Sequence, residues 1–431
     1  MSLPFGLMLA VFFGGALLGM PIAFVMLGGG IAYLLTSGQD VGLASEQILN
    51  GLYNSYVLLA VPLFIFAANI MNAGTISERL FDFAHVLVGR LRGGLAHVNV
   101  VVSMIFAGMS GSAVADAAGP SLIEIKVMTK DGRYTPGFAA AVSAASATIG
   151  PIIPPSIPMV LYALVSSTSV GALFLGGVVP GLMMSGALMA GIAVIAHRRR
   201  FPTEEGVPLR AWPRILAGAS LPLTLPVVLL GGIYSGVFTP TEAAAVAAAY
   251  ALVLAGPVYR AIGPRELVDL IAGSLRATAV VSLIIAGAFV VNYAIATEQI
   301  PMALAGWLSR LALPPLAFLV VINLFFLVLG CFLDTTTMLL VLVPLLLPGV
   351  KALGIDLVHF GVVIIVNMMI GLVTPPYGVL LFVLNALTGI PLREMIREVW
   401  PFIGLLIVAL ALMVVFPETV LWLPRQLGYK T

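Results

Sequence analysis

Cysteine, histidine and charge are all scarce in this chain of 431 residues. The single cysteine, Cys331, excludes an internal disulfide and any cysteine-rich metal site. Charged residues make up 9% of the chain, against about 25% in a soluble domain, which excludes a soluble fold. The Lys and Arg residues sit between apolar runs and not on one continuous face, so the net charge of +2 offers no footing for nucleic acid. No HExxH, no paired GxGD-type aspartates and no aspartate-rich metal motif is present, which excludes the intramembrane enzymes built on them. A cleavable leader is also missing. Met1 to Gly6 reads MSLPFG, and the apolar run from Phe5 to Leu35 outlasts any signal core, so the first segment is expected to be retained.

Apolar length is what the chain has instead, with 61% hydrophobic residues. A membrane-crossing helix needs roughly 20 of them, which places spans near 5–35, 52–72, 135–168, 171–196, 215–234, 239–257, 274–297, 358–388 and 399–420. Two further stretches, 95–128 and 316–350, are interrupted by small polar residues: GMSGSAVADAAGP at 108–120 and GCFLDTTT at 330–337. Irregular backbone at membrane depth survives only where protein or a cavity surrounds it. Both stretches therefore read as re-entrant hairpins. The fold expected is an all-α polytopic membrane protein.

Charge placement supports this topology. With the N-terminus inside, sixteen basic residues fall on the cytoplasmic side, from Arg79 through the run Arg198–Arg200 to Arg393 and Arg397. Only Arg310, Lys351, Arg425 and Lys430 fall outside, the bias of the positive-inside rule. The C-terminus is then expected in the periplasm.

The apolar runs also contain two Pro-Pro breaks, IGPIIPPS at 149–156 and IGLVTPPYG at 370–378. Pro154 and Pro375, Pro155 and Pro376, Gly150 and Gly371, and Pro180 and Pro401 all share one offset of 221 residues. Each half reads span, span, amphipathic segment, hairpin, broken helix, span, and the extra span at 215–234 makes the second half enter from the opposite side. The pattern is an inverted repeat with two Pro-broken helices, the best sequence pointer to a transport site at the bilayer midplane. The expected domains are N-terminal scaffold helices at 1–75, a first transport repeat at 76–196, a linker with scaffold helices at 197–297, a second transport repeat at 298–420 and a tail at 421–431. The segments 76–94 and 298–315 are either arms joining scaffold to carrier or interfacial helices.

Inversion brings both tips toward the centre, each against the break of its own half. Helix ends there leave carbonyls unpaired, and small residues let them converge on a cation. Ser110 and Ser112 at the first tip, Thr335, Thr336 and Thr337 at the second, and Thr374 in the second break add hard hydroxyl oxygens. The chemistry is that of sodium. A proton-coupled site more often shows a chain of buried carboxylates or histidines, and here only Asp116 and Asp334 are candidates. None of His85, His97, His197 and His359 lies at a tip or break.

Blander readings exist for each feature. Gly and Ser in membrane helices commonly serve close packing, and a lone Pro-Pro pair is commonly a kink; repetition in the other half argues against both. Asp334 and Asp116 are either functional or helix caps. Glu242, in FTPTEAAA, reads as a first-turn dipole partner after Thr239 or Thr241. HRRRF at 197–201 is a topological anchor. Asn69 and Asn292 either line the cavity or bond between helices.

Together GMSGSAVADAAG, IGPIIPPS, TPTEAAA and DTTTM with the second TPP break resemble the large membrane subunit of tripartite ATP-independent periplasmic (TRAP) transporters, within the wider ion transporter superfamily. The similarity runs from Pro4 to Pro424. It implies sodium-driven uptake of an organic acid across the bacterial inner membrane by elevator motion. Its partners would be a separate small four-helix membrane subunit, a periplasmic substrate-binding protein and the lipid bilayer. Apart from sodium as coupling ion, no cofactor is implied. Carried onto this chain, a first sodium site falls at Ser110, Ser112, Gly150, Ile153 and Pro155, and a second at Gly330, Thr335, Thr336, Gly371 and Thr374. The substrate cavity falls between the tips, at Gly111, Asp116, Pro154, Ser156, Asp334, Thr337, Pro375 and Pro376. No arginine is expected at depth, so a substrate carboxylate would meet helix N-termini and hydroxyls. A stand-alone sodium-coupled organic anion carrier of the same superfamily is the alternative, and a channel with carbonyl-lined loops is a further one.

Overall fold

The computed structural model describes residues 2–73, 76–201, 203, 206–310 and 313–429. Lys430, together with residues 74–75, 202, 204–205 and 311–312 of the expected scaffold, linker and arm, lies outside these. Among the described residues the chain forms helices and turns, with no strand.

The first apolar run departs from expectation. It is not one span but two antiparallel helices, α1 (Leu3–Leu17) and α2 (Ile22–Thr36), packed on each other. Gly19, left-handed at φ 77°, and Pro21 turn the chain between them. Hydropathy reads through such a turn because its flanks are equally apolar. Next, α3 (Gly42–Tyr53) lies at 73° to the segment Tyr56–Asn72, whose regular part is α4 (Ala60–Asn72).

The first repeat continues with α5 (Ile76–Val88) and the hairpin formed by α6 (Gly94–Ser110), α7 (Ala113–Ala118) and α8 (Pro120–Thr129). The broken helix follows as α9 (Pro136–Ala147) and α10 (Ile157–Ser166), then α11 (Val170–Arg198). Three helices come between the repeats: α12 (Trp212–Tyr234), α13 (Pro240–Val253) and α14 (Pro264–Thr297). The second repeat holds α15 (Ile300–Arg310), α16 (Pro315–Leu329) and α17 (Thr335–Thr337), which runs through a π-helical turn into α18 (Val343–Ala352). Its broken helix is α19 (Leu357–Gly371) and α20 (Val379–Thr388), followed by α21 (Leu392–Val415) and α22 (Glu418–Gln426).

Local chemistry sets these boundaries. Thr135 caps α9, accepting from the Phe138 N–H at 3.3 Å with Pro136 at the first turn. Ser156 caps α10 and Asp356 caps α19 in the same way. Glu242 has a plain structural role: it and Thr239 close a reciprocal capping box at the start of α13. The halves α9, α10, α19 and α20 span only about 15–22 Å each at 1.5 Å per residue, so each crosses a bilayer core only as part of its broken pair.

Packing separates two groups. α1, α2, α4, α13 and α14 pack on one another, while α9, α11, α19 and α21 form the centre of the other group. The second halves of the broken helices are exchanged: α10 packs on α17 and α18 of the second hairpin, and α20 packs on α7 and α8 of the first. Large apolar side chains such as Val227, Val268, Val280, Leu324 and Val328 stand exposed on α12, α14 and α16, which a bilayer accommodates.

One end of the molecule gathers charge. The Arg199 guanidinium pairs with Glu398 at 2.8 Å, and Arg92 lies 3.4 Å from His197. The start of the chain lies elsewhere. The Ser2 amide and hydroxyl and the Tyr33 hydroxyl all donate to Glu298, and Glu298 follows the end of α14 opposite Arg265. Because α14 is about 50 Å long by its rise per residue, Ser2 cannot share the side of Arg260 and Arg265. The expected topology put Ser2 and Arg265 on one side; the structure puts them at opposite ends of α14, since the run taken as one crossing is two antiparallel helices.

Candidate functional site

Each hairpin tip meets the break of its own repeat. At the first, Ser110 ends α6 fully buried, Gly111 turns the chain at φ 61°, and Ser112 caps α7 by accepting from the Ala115 N–H at 3.3 Å. Glycine is required at 111, where a Cβ would lie 2.3 Å from the Pro155 carbonyl oxygen. The Ile157 N–H donates to the Gly111 carbonyl at 3.4 Å, and a Cβ on Gly150 would lie 3.4 Å from the Ser112 carbonyl oxygen. Ser110, Gly111, Ser112, Gly150 and Pro155 are therefore neighbours around a small set of hydroxyl and main-chain oxygens. The Ile153 side chain points away, onto Gly181 of α11.

At the second tip, Gly330 and Gly371 touch through their main chains: a Cβ on Gly371 would lie 2.9 Å from the Gly330 Cα and carbonyl oxygen. Asp334 caps α17, its carboxylate accepting from the Thr337 N–H at 2.9 Å and from the Thr337 hydroxyl. The Thr335 hydroxyl is buried without a partner. Such an orphan is uncommon in a folded chain and suits an oxygen held for a ligand. The Thr374 hydroxyl is bonded back to the Ile370 carbonyl at 2.7 Å, with lone pairs to spare. Both Pro-Pro bonds, Pro154–Pro155 and Pro375–Pro376, are cis. Hydroxyl and carbonyl donors of this kind suit a hard monovalent cation. Among the described residues no group of three His, Cys, Asp or Glu could hold a transition metal.

Between the tips and the scaffold lies a cavity of about 700 Å³. One wall is Ile65, Ala68, Asn69 and Asn72 of α4 with Leu270, Ala277 and Val281 of α14. Opposite stand the N-terminal ends of four helices: Ser112 to Ala115 at α7, Ile157 and Pro158 at α10, Thr335 and Thr336 at α17, and Val379 at α20. No Lys, Arg or His lines the cavity, and Asp334 is its one ionisable residue among those described.

Several residues expected here stand elsewhere. Gly111 and Asp334 line the cavity, and so do Ser112, Thr335 and Thr336. Asp116 does not; one turn beyond the Ser112 cap, its side chain turns into the hairpin interior and is fully buried. Ser156 is likewise fully buried, occupied by the Pro151 carbonyl and the Met159 N–H, and Pro154 lies behind the turn. Thr337 is 1% exposed and spent on the Asp334 cap. Pro375 and Pro376 also stand off the cavity wall.

Some positions escaped the sequence reading. Ser146 and Asn367, 221 residues apart, occupy the same place in α9 and α19 and bond the entering arm of each hairpin, Ser146 to Asn99 at 2.6 Å and Asn367 to Asn323 at 2.9 Å. Asn72, also not singled out, reaches from the scaffold to the first hairpin. Of the two asparagines the sequence left open, Asn69 bonds Ser274 within the scaffold at 2.8 Å while lining the cavity, and Asn292 reaches from the scaffold to the second hairpin. The available signal was an asparagine or serine in an apolar helix, repeated at half-chain spacing.

Residues 7–419 match the family model described as Tripartite ATP-independent periplasmic transporter, DctM component. The chain belongs to this family. The resemblance carried by the tip and break motifs is thereby shown, and this DctM-family chain is a multi-pass transporter subunit and not an enzyme. It is 44% identical over 413 residues to the sialic acid TRAP transporter large permease protein SiaM of Vibrio cholerae, covering 95% of this chain and 96% of that one. The C4-dicarboxylate TRAP transporter large permease protein DctM of Pseudomonas aeruginosa is 43% identical, with 86% and 87% covered. The 2,3-diketo-L-gulonate TRAP transporter large permease protein YiaN of Escherichia coli is 37% identical, with 95% and 96% covered. Among solved structures, the Alcanivorax borkumensis YdaH transporter shares the fold at TM-score 0.59 and 14% identity, covering 86% of this chain and 87% of its own.

Proposed function

We propose that this DctM-family chain is the large membrane subunit of a sodium-coupled, binding-protein-dependent importer of an organic acid, located in the bacterial inner membrane. The observation that carries this is the convergence of four helix N-termini on a cavity with no cationic side chain among the described residues. The positive ends of the helix dipoles, with the N–H groups that capping leaves over at α7, α17 and α20, bind a carboxylate without arginine; those of α10 are already spent on Gly111 and Ser156. The relatives named above handle sialic acid, C4-dicarboxylates and 2,3-diketo-L-gulonate, and an organic acid is the class this cavity suits.

Sodium would sit at the two tips. Ser110 and Ser112 with the main chain of Gly150 and Pro155 would hold one ion, and Thr335 and Thr336 with the main chain of Gly330, Gly371 and Thr374 the other. Moving an anion and unpaired carbonyls through hydrocarbon costs several kcal/mol for each group. Bound cations remove part of that cost, so sodium both tightens binding and permits movement. The cavity is walled by the scaffold on one side and the tips on the other, the arrangement an elevator needs: the tips, breaks and cargo move as a body along α4 and α14. With the basic end in the cytoplasm, Ser2, Glu298 and the C-terminal tail face the periplasm. A small four-helix membrane subunit would enlarge the scaffold, and a periplasmic binding protein would deliver the substrate.

The test is uptake of labelled organic acids into proteoliposomes holding this chain and its small partner, with and without a sodium gradient and each neighbouring periplasmic binding protein. Uptake needing both sodium and one binding protein is expected. Sodium-driven uptake with no binding protein would replace the tripartite reading with a stand-alone carrier.

A further inference from the structure

Behind the first tip lie two carboxyl groups that the transport reading leaves unused. Asp116 on α7 and Glu124 on α8 are 0% and 1% exposed, and neither oxygen of either group has a hydrogen-bond partner. The charge facing Glu124 is that of Asp116. Ser121, one turn earlier on the same face of α8, is also fully buried with an unpartnered hydroxyl. The neighbouring polar groups on α6 and α9 are already bonded together, Ser103 to Ser146, Ser146 to Asn99 and Asn99 to Ser143.

Among the described residues no cation is among the charges acting on Glu124. Of the elements packed on α7 and α8, α9 and α20 carry no ionisable side chain, and α4 brings only the amides of Asn69 and Asn72. α6 brings His97, which is not among the charges acting on Glu124. α5 carries Glu78, Arg79, Asp82 and His85, with the Arg79 guanidinium laid over the Tyr259 ring at 4.2 Å. Lys126 on α8 and Lys130 after it are exposed.

Two ionised carboxylates cannot persist side by side in a low-dielectric interior where the Ser103 hydroxyl is the donor beside Asp116 and no cation acts on Glu124. We propose that Glu124 is a proton-binding site of the transport domain, neutral in this conformation and carried with the first hairpin. A proton, and not a sodium ion, is the proposed occupant, because both carboxyls are fully buried away from the cavity through which an ion would enter, and a proton needs no coordination shell. With a proton on Glu124, the two carboxyls carry at most one negative charge between them. The site is separate from the tips: Glu124 lies twelve residues beyond Ser112, on the helix that leaves the tip.

Infrared difference titration of the purified full-length chain, from about pH 5 to about pH 9, reads this group directly. Wild-type protein should show a protonated-carboxyl band at neutral pH that Glu124→Gln removes, with the melting temperature near wild type because glutamine copies the neutral acid. A wild-type spectrum without the band overturns the proposal even if the variant fails to fold, and so does a band that persists in Glu124→Gln. Loss of the band when sodium is added at constant pH would make sodium the occupant and overturn the proton. A sodium-insensitive band is the expected result.

Discussion

Asn72 and Asn292 stand 220 residues apart and make equivalent contacts from opposite halves of the scaffold. Asn72 donates its amide to the Ala115 carbonyl of the first hairpin at 3.1 Å, and Asn292 donates to the Leu340 carbonyl behind the second tip at 2.9 Å. In both, the side-chain oxygen is buried without a partner.

These two bonds tie the scaffold to the hairpins, so removing either should loosen this arrangement. A buried carbonyl left unpaired costs about 1–3 kcal/mol, and Asn292→Ala should shift the balance between carrier positions by roughly 5- to 150-fold. Distances between spin labels on α4 and on the first hairpin would report the shift. An unchanged distribution in both Asn72→Ala and Asn292→Ala would show that the bonds do not set the carrier's position.

Gly330 and Gly371 touch through their main chains, and the second tip should not tolerate a methyl group there. Gly371→Ala forces overpacking worth about 1–3 kcal/mol. Sodium-dependent uptake should fall while membrane insertion stays intact. Ser110→Ala and Thr335→Ala should raise the sodium concentration for half-maximal uptake without affecting assembly; sodium curves that superimpose on wild type would remove both residues from the ion sites.

Asp334 does two jobs that substitution can separate. Asn keeps the cap on α17 while removing the charge, whereas Ala loses the cap at a cost of about 1 kcal/mol. If the carboxylate serves as cap and cavity wall, Asp334→Asn should retain sodium coupling and bind the anionic substrate at least as well. If sodium coupling collapses in Asp334→Asn, the carboxylate itself is an ion ligand.

Glu298 makes the position of the N-terminal helices pH-sensitive. The hydrogen bond from the Ser2 hydroxyl, with help from the Ser2 amide and Tyr33, holds its carboxyl below the usual carboxylate range. A depressed pKa in the folded state stabilises above the unfolded value and loses that contribution as pH falls through the folded one. Proteolysis near Ser2 should therefore accelerate on acidification into that range, and in Glu298→Gln the rate should no longer change there.

Much of the plan was legible because it rests on interruptions. Pro154-Pro155, Pro375-Pro376 and the small-residue tips sit inside apolar runs where nothing else competes for attention, and their spacing marks the repeat. What failed was the same ruler applied where interruption is slight: Gly19 and Pro21 break 5–35 without any polar residue beside them. Site residues divided along similar lines. Glycines at the tips followed from close approach, but the outward or inward turn of Asp116 and Thr337 depends on helix phase after a cap, which spacing alone does not fix. Asn72 was not singled out, and Asn292 stayed between two readings, because an amide in a membrane helix looks the same whether it bonds a neighbouring helix or faces a cavity.

The exchanged halves, α10 and α20, also impose an order in time. α7 and α8 leave the ribosome early, yet the segment that covers them, Val379–Thr388, is made only after more than half of the chain has followed. Until then the first hairpin has one flank without its protein neighbour. The earlier repeat therefore waits, partly open, for the later one, and a chain stopped before residue 379 would leave even its completed half unfinished.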